Sequence, residues 1–407
     1  MKVGTPGFVG ARLREGREAR GLTALSLAEL VGVSRAALSQ YEIGPQTPRP
    51  DVMDRIAAQL NLPVQFFCQP AVKEVERRIF WRSMSAATKG ARTKAYRRYL
   101  WLRQITDYLQ QFVVLPAVNF PQFKLPDDPV KLSMNDIEQI AREVRSYWKL
   151  GIGPISDVVL LLENNGAIVA RGALGADTLD AFSEWDELEN RPYIFLGSDK
   201  DSAVRSRFDV VHELAHLILH RKIERNLLAH PAQFKLIEEQ AHRFAAAFLV
   251  PATTFASELN YISLDHLRVL KRRWKVAISM MLMRCQHLGF LEPEEARRLW
   301  MNLSRRGWKR REPLDDELVP EQPRVIESAI SSLLQAGVIS REQLKGDLPY
   351  AVSDIEELLM LPRGFLSDHQ AEVVILGEQR NPAPASGRVN APNDGVVIGF
   401  PKGTVEK

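Results

Sequence analysis

The chain has 407 residues, 45% of them hydrophobic and 26% charged, with a formal net charge of +4, which is enough apolar chain for two or three domains with real cores. Only Cys68 and Cys285 occur, so a disulfide framework and a paired-cysteine zinc knuckle are excluded and each thiol is expected to be buried and free. The positive charge at the amino terminus has no apolar run behind it and no later segment reaches the length of a bilayer span, so the protein is expected to stay in the cytoplasm.

Residues 8–67 read as short helices with turns between them, and the stretch from Gly21 to Glu42 sets two helices against each other. Thr23 is placed to cap the first and Ser34 the second, with Gly32 in the tight turn. Leu27, Ala28, Val33 and Leu38 form the shared core, and Arg17 is expected to pair with Glu42. In spacing and residue type the segment resembles the XRE-type helix-turn-helix family. The resemblance implies that the helix from Arg35 enters the major groove of DNA with Arg35, Ala36, Ser39 and Gln40 facing bases. One such module makes few phosphate contacts and binds weakly; a homodimer would double the footprint on an operator.

Residues 71–130 read as connection. The cations Arg77, Arg78, Arg82, Lys89, Arg92, Lys94, Arg97, Arg98 and Arg103 are interleaved with Phe80, Trp81, Tyr96, Tyr99 and Trp101, and the apolar spacing from Thr93 to Phe112 suits one long amphipathic helix. It is expected to link and to pair, its basic face near DNA or solvated. Val114 to Pro129 is an extended, proline-punctuated boundary.

A capping-box pattern at Ser133–Asp136 opens a helix that runs to about Trp148 and stops at Gly151. A second helix is expected from Ser156 to Asn165–Gly166, followed by strands over 167–170, 178–182 and 193–196. The last is expected at the edge of a small sheet, where an extended peptide could pair. Arg205 and Arg207 are read as braces for the next helix rather than substrate contacts.

In that helix His212 and His216 are four residues apart, with Glu213 after the first. Positions i and i+4 share a helix face, so both imidazoles can reach one metal ion while Glu213 serves a bound water as acid and base. A third ligand is needed. The positions of a metzincin continuation hold Leu219 and Lys222, whereas a further helix from Ile237 to Pro251 places Glu238 at the head of a small apolar face with Ala241, Ala245 and Phe248. Glu239 is the reserve choice, and His220 and His242 are given supporting or capping roles. No Tyr or His is assigned as an electrophile opposite the metal.

Beyond Pro251 helices are expected from Ser263 to Leu270, Ser279 to Leu288, Pro293 to Leu303, Val325 to Leu334 and Ser353 to Met360. The basic cluster from Arg305 to Arg311 reads as a solvated turn, and the chain beyond Asn381 as flexible.

The string from Arg205 to His220, followed by Glu238-x-x-Ala241-x-x-Phe244-Ala245 and Leu249-Val250-Pro251, resembles the ImmA/IrrE family of metallo-endopeptidases. Gly153-Pro154-Ile155, Leu162 to Gly166, Asp180 to Ser183 and Arg191-Pro192-Tyr193 add to the likeness, which is good over 131–260 and fainter to about 312. It implies a Zn2+ site of His212, His216 and Glu238 with Glu213 as catalytic acid and base, and a substrate that is itself a regulator. Ala215 stands where the family commonly has Gly. The expected fold is multidomain and mainly α with a small α+β core: a helix-turn-helix bundle (1–70), a basic linker with a long helix (71–130), a zincin-like metallopeptidase domain with a small sheet (131–260), a helical C-terminal appendage (261–370) and a flexible tail (371–407). The expected function is a DNA-binding regulator that cuts a regulatory protein. Its rival is a repressor or antitoxin-like protein whose metallopeptidase core is a sensor or a scaffold.

Overall fold

A computed structural model describes residues 4–71, 79–81, 88–173, 180–198, 202–228 and 230–367; for 79–81 and 225–226 it describes the backbone alone. Arg77, Arg78, Arg82, Thr178, the side chains of Phe80 and Trp81, and the tail from 371 lie outside the described residues. Among the described residues no helix is long and apolar enough to cross a membrane.

Helices α1 (Gly10–Ala19), α2 (Ala24–Val31), α3 (Arg35–Ile43) and α4 (Pro50–Leu60) form the N-terminal bundle. The caps lie where the sequence puts them: Ser26 N donates to Thr23 Oγ1 at 3.0 Å and Ala37 N to Ser34 Oγ at 3.1 Å. Gly32 turns the chain at φ 69°, a left-handed conformation that a β-carbon would strain. Leu27, Ala28 and Leu38 are fully buried, with Val33 packed against them. Arg17 grips both oxygens of Glu42, at 2.5 and 2.9 Å.

Strand β1 (Ile79–Trp81) and helix α5 (Lys89–Leu109) follow. The helix is not a solvated linker. Trp101 Nε1 donates to Glu15 of α1 at 2.7 Å and Arg97 reaches Glu18 at 2.8 Å, while Tyr99 meets the rings of Phe182 and Tyr193 edge-on. Arg97 and Arg98, expected near DNA or in water, are buried in ion pairs. Aromatic residues on a second face make α5 a core element shared by the N-terminal bundle and the sheet.

The chain then crosses the extended segment at Phe120, whose ring packs edge-on against Trp148 and Trp185, and enters α6 (Met134–Tyr147) through the capping box of Ser133 and Asp136. Helix α7 (Val158–Asn164) starts two residues later than expected because Asp157, not Ser156, caps it. Gly166 (φ 90°) ends that turn; a β-carbon there would sit 2.6 Å from the Ala117 carbonyl oxygen. Strands β2 (Ile168–Gly172), β3 (Ala181–Asp186) and β4 (Arg191–Gly197) complete a sheet of order β1-β3-β4-β2, antiparallel except for β2 with β4.

The expected edge strand over 193–196 is therefore internal, flanked by β3 and β2. Its residues from Arg191 to Leu196 are buried without a break, the mark of a strand covered on both faces. Tyr193 and Phe195 join the core shared with α5 and the C-terminal helices, and Ile194 and Leu196 the core beneath the metal helix.

Helix α8 (Ala203–Ala215) lies over β3 and β4; short α9 (Arg225–Leu228) leads to α10 (Pro231–Leu249), which packs along α8 and α6. After α11 (Ala252–Glu258) come α12 (Leu264–Trp274), α13 (Ile278–His287), α14 (Pro293–Arg305), α15 (Val325–Gln335), α16 (Arg341–Asp347) and α17 (Val352–Leu358), of which α16 is new relative to the sequence reading. Carboxylates stitch this region on by taking helix-start amides: buried Glu163 accepts from Arg324 and Val325, and half-buried Glu321 from Val158. Cys285 is buried as expected, whereas Cys68, at the surface end of a short helical turn, is exposed.

Asp354 of α17 joins three elements, with its oxygens 2.6 Å from Arg20 and 3.4 Å from buried Arg98. Asp354→Ala is expected to cost about 2 kcal/mol, because three charge-assisted bonds go and buried Arg98 is left to Glu357. Urea denaturation checks it, with Arg272→Ala, an exposed ion-pair partner, as the near-neutral comparison.

Candidate metal centre

Helix α8 runs without interruption into a single π-turn, His216–His220, in which the backbone widens by one residue. His212 and His216 project from one face, both with 1% exposure or less. Glu238 comes from α10 on the other side. Its Oε2 is 3.3 Å from His212 Nε2 and its Oε1 is 3.2 Å from His216 Nε2, and the two ring nitrogens are 3.0 Å apart. Ala241, Ala245 and Phe248 are buried behind Glu238, so the small face that singled it out in sequence is the one that lets α10 approach α8. Glu239 instead points outward, 3.7 Å from Lys235.

Two imidazole nitrogens and a carboxylate oxygen fit a divalent transition metal. Burial works against the charge of Glu238, but the adjacent imidazoles of His212 and His216 outweigh it and hold its pKa below the ordinary carboxylate value.

His216 is oriented from behind. Its Nδ1 is 2.9 Å from His220 Nδ1, His220 Nε2 is 3.2 Å from Gln240 Oε1, and Gln240 Nε2 donates to the carbonyls of Pro129 and Leu132. Because the Gln240 amide donates to two carbonyls, its oxygen must accept from His220. His220 therefore carries its proton on Nε2 and accepts from His216 Nδ1–H, which leaves the His216 Nε2 lone pair directed towards Glu238. Burial, and then the neighbouring His216, push the pKa of His220 down to about 3, so it stays neutral.

Glu213 is fully buried, and Ser183 Oγ on β3 donates to its Oε2 at 2.6 Å. Sequence reasoning included Ser183 in the family likeness but gave it no role; its signal was a lone hydroxyl in an otherwise buried strand. The backbone of β1 pairs with the outer edge of β3, Phe80 opposite Ser183. His242 is exposed, its ring 4.7 Å from that of His212 and stacked on Phe208. The two arginines before the metal helix part ways: Arg207 is buried against Glu321 and the Ile155 carbonyl as a brace, and Arg205 is exposed.

In the N-terminal bundle, Arg35, Ala36 and Gln40 are exposed on α3 and Ser39 is half-buried. All four are available on the free side of the helix that Leu38 anchors.

Residues 163–286, which contain every group of the metal centre, match the family model of the IrrE N-terminal-like domain. The chain carries an IrrE-like, metallopeptidase-like domain. Residues 13–67 match a helix-turn-helix family model, so the DNA-binding domain and the IrrE-like domain are fused in one chain. No curated protein matches the chain. The IrrE-like match begins at α7 and ends within α13, so strands β2, β3 and β4, both metal helices and the Ser183 and Gln240 supports fall inside it.

Gln240→Leu, which cannot accept from His220, is expected to weaken metal binding about 10- to 100-fold, measured by competition with a chromophoric chelator. In the same titration Glu238→Ala should lose far more affinity than Glu239→Ala; the reverse order would transfer the ligand role to Glu239.

Proposed function

We propose that the protein is a cytoplasmic transcriptional regulator that binds an operator through its helix-turn-helix and cuts a regulatory protein with a zinc-dependent endopeptidase domain. The observation that carries this reading is the convergence of His212, His216 and Glu238 on one point, with Glu213 beside it and pinned by Ser183. A zinc ion held by His212, His216 and Glu238 supplies Lewis acidity to a peptide carbonyl and acidifies water at neutral pH. Glu213 takes the proton from the water that attacks the carbonyl carbon and gives it to the leaving amine nitrogen. Ser183 keeps the Glu213 carboxylate in one orientation for both transfers, and the chain from His220 to Gln240 does the same for His216.

On the DNA side, Arg35, Ala36, Ser39 and Gln40 face the bases and a homodimer spans two half-sites. A second reading is favoured by α5, which has one flank on the N-terminal bundle and the other on the sheet that supports Glu213. On that reading the metallopeptidase core is a sensor or scaffold for a repressor or antitoxin-like protein.

Glu213→Gln separates the two. It should retain zinc content and operator affinity while cleavage of the regulator falls by at least about 10²-fold, the usual scale for a general acid–base group. If wild type and variant behave alike in every regulatory assay, the scaffold reading replaces the peptidase.

A further inference from the structure

Beside the metal centre a cleft of about 1120 Å³ opens between α8, α10, α13 and the turn that follows α14. Phe208 and His242 form its inner end, and both rings lie next to His212, at 6.4 and 4.7 Å. Met134, Val276, Met280, Met283 and Trp308 give it an apolar lining. Methionines are unbranched and polarisable, so such a lining adapts to different side chains.

The charges around the cleft are unequally engaged. Glu312 accepts the α13 amides of Ile278 and Ser279 at 2.6 and 2.9 Å and takes the buried ammonium of Lys271 at 2.8 Å. Asp315 takes the same ammonium at 2.5 Å, Asp316 pairs with Arg311, and Glu239 with Lys235. Arg243 is held by Glu138 at 2.7 Å. Arg205, Lys309 and Arg310 also line the cleft, are exposed, and have no acidic partner among the described residues. Among the described residues every acid of the wall thus has a basic partner, Glu312 and Asp315 sharing one ammonium, whereas three cations have no acidic partner.

We infer that this cleft receives an acidic polypeptide segment of the substrate, with carboxylates on Arg205, Lys309 and Arg310 and a large apolar side chain against Met280, Met283 and Trp308. The inference rests on the peptidase reading, since a chain lying in the cleft reaches His242, whose ring lies beside that of His212. A polypeptide rather than a small anion suits a space above the roughly 300–1,000 Å³ of small-molecule sites, with cations spread over two separate elements.

The test uses zinc-loaded full-length Glu213→Gln protein and two fluorescein-labelled twelve-residue peptides. They share their Leu and Phe positions and differ in having Glu or Lys at every polar position. The expected result in fluorescence anisotropy is binding of the Glu peptide at least tenfold tighter than the Lys peptide. That preference should disappear in Lys309→Glu/Arg310→Glu and, separately, in Arg205→Glu, but persist in Arg272→Glu, whose side chain lies outside the cleft. Equal binding of the two peptides, no binding of either, or a preference untouched by both reversals would overturn the assignment. A single-stranded oligonucleotide of matched charge that displaces the Glu peptide and loses affinity in the same variants would overturn it in favour of a nucleic-acid surface. Wild-type protein separates this from the reaction itself: a Glu peptide bound but uncut sinks the peptidase reading alone, and cutting without charge preference sinks the cleft assignment alone.

Discussion

A sheet buried on both faces is the constraint on which the rest of the molecule depends. Along β3 successive side chains alternate between two cores, so Phe182 packs on Tyr99 of α5 while Ser183 holds Glu213 on the other side. Shifting β3 by one residue would exchange those roles and place a phenyl ring where the carboxylate needs a donor. The pairing of β3 with β4, and of β4 with β2, fixes that register from the inside of the sheet.

The same arrangement removes the distinction between a helix-turn-helix head and an IrrE-like body. Trp101 and Arg97 bind α5 to α1, Tyr99 binds it to the sheet, and Asp354 of α17 ties α1 and α5 together from the C-terminal side. The N-terminal bundle is therefore held by side chains from two separate stretches of sequence, α5 and α17. Helix α3 carries none of these contacts, and its Arg35, Ala36 and Gln40 remain exposed.

Local patterns were the most legible. The caps at Thr23, Ser34 and Ser133, the Arg17–Glu42 pair and the face of Glu238 each depend on residues a few positions apart on one helix, or on one pair of helices in a compact motif, and the structure places them as expected. What escaped depended on partners far away in the chain. From sequence β4 reads as an edge because alternation does not reveal that a second core covers its other face. The long helix α5 was taken for a linker because its arginines look solvated until Glu18 and Asp354 are brought to them from 79 and 256 residues away. Gln240 and Ser183 act through side-chain hydrogen bonds to other elements, partners that their own stretch of sequence does not reveal.

Glu312 shows how a nearly neutral protein can be strongly polarised in one place. The turn after α14 contains bases and acids in close succession, yet Glu312 and Asp315 fold inward to satisfy a helix start and the ammonium of Lys271, and Lys309 and Arg310 are left facing out. The turn sorts its own charges by depth, so the potential at this surface is set by which side chains the interior consumes, and a total of +4 spread over 407 residues gives no hint of it.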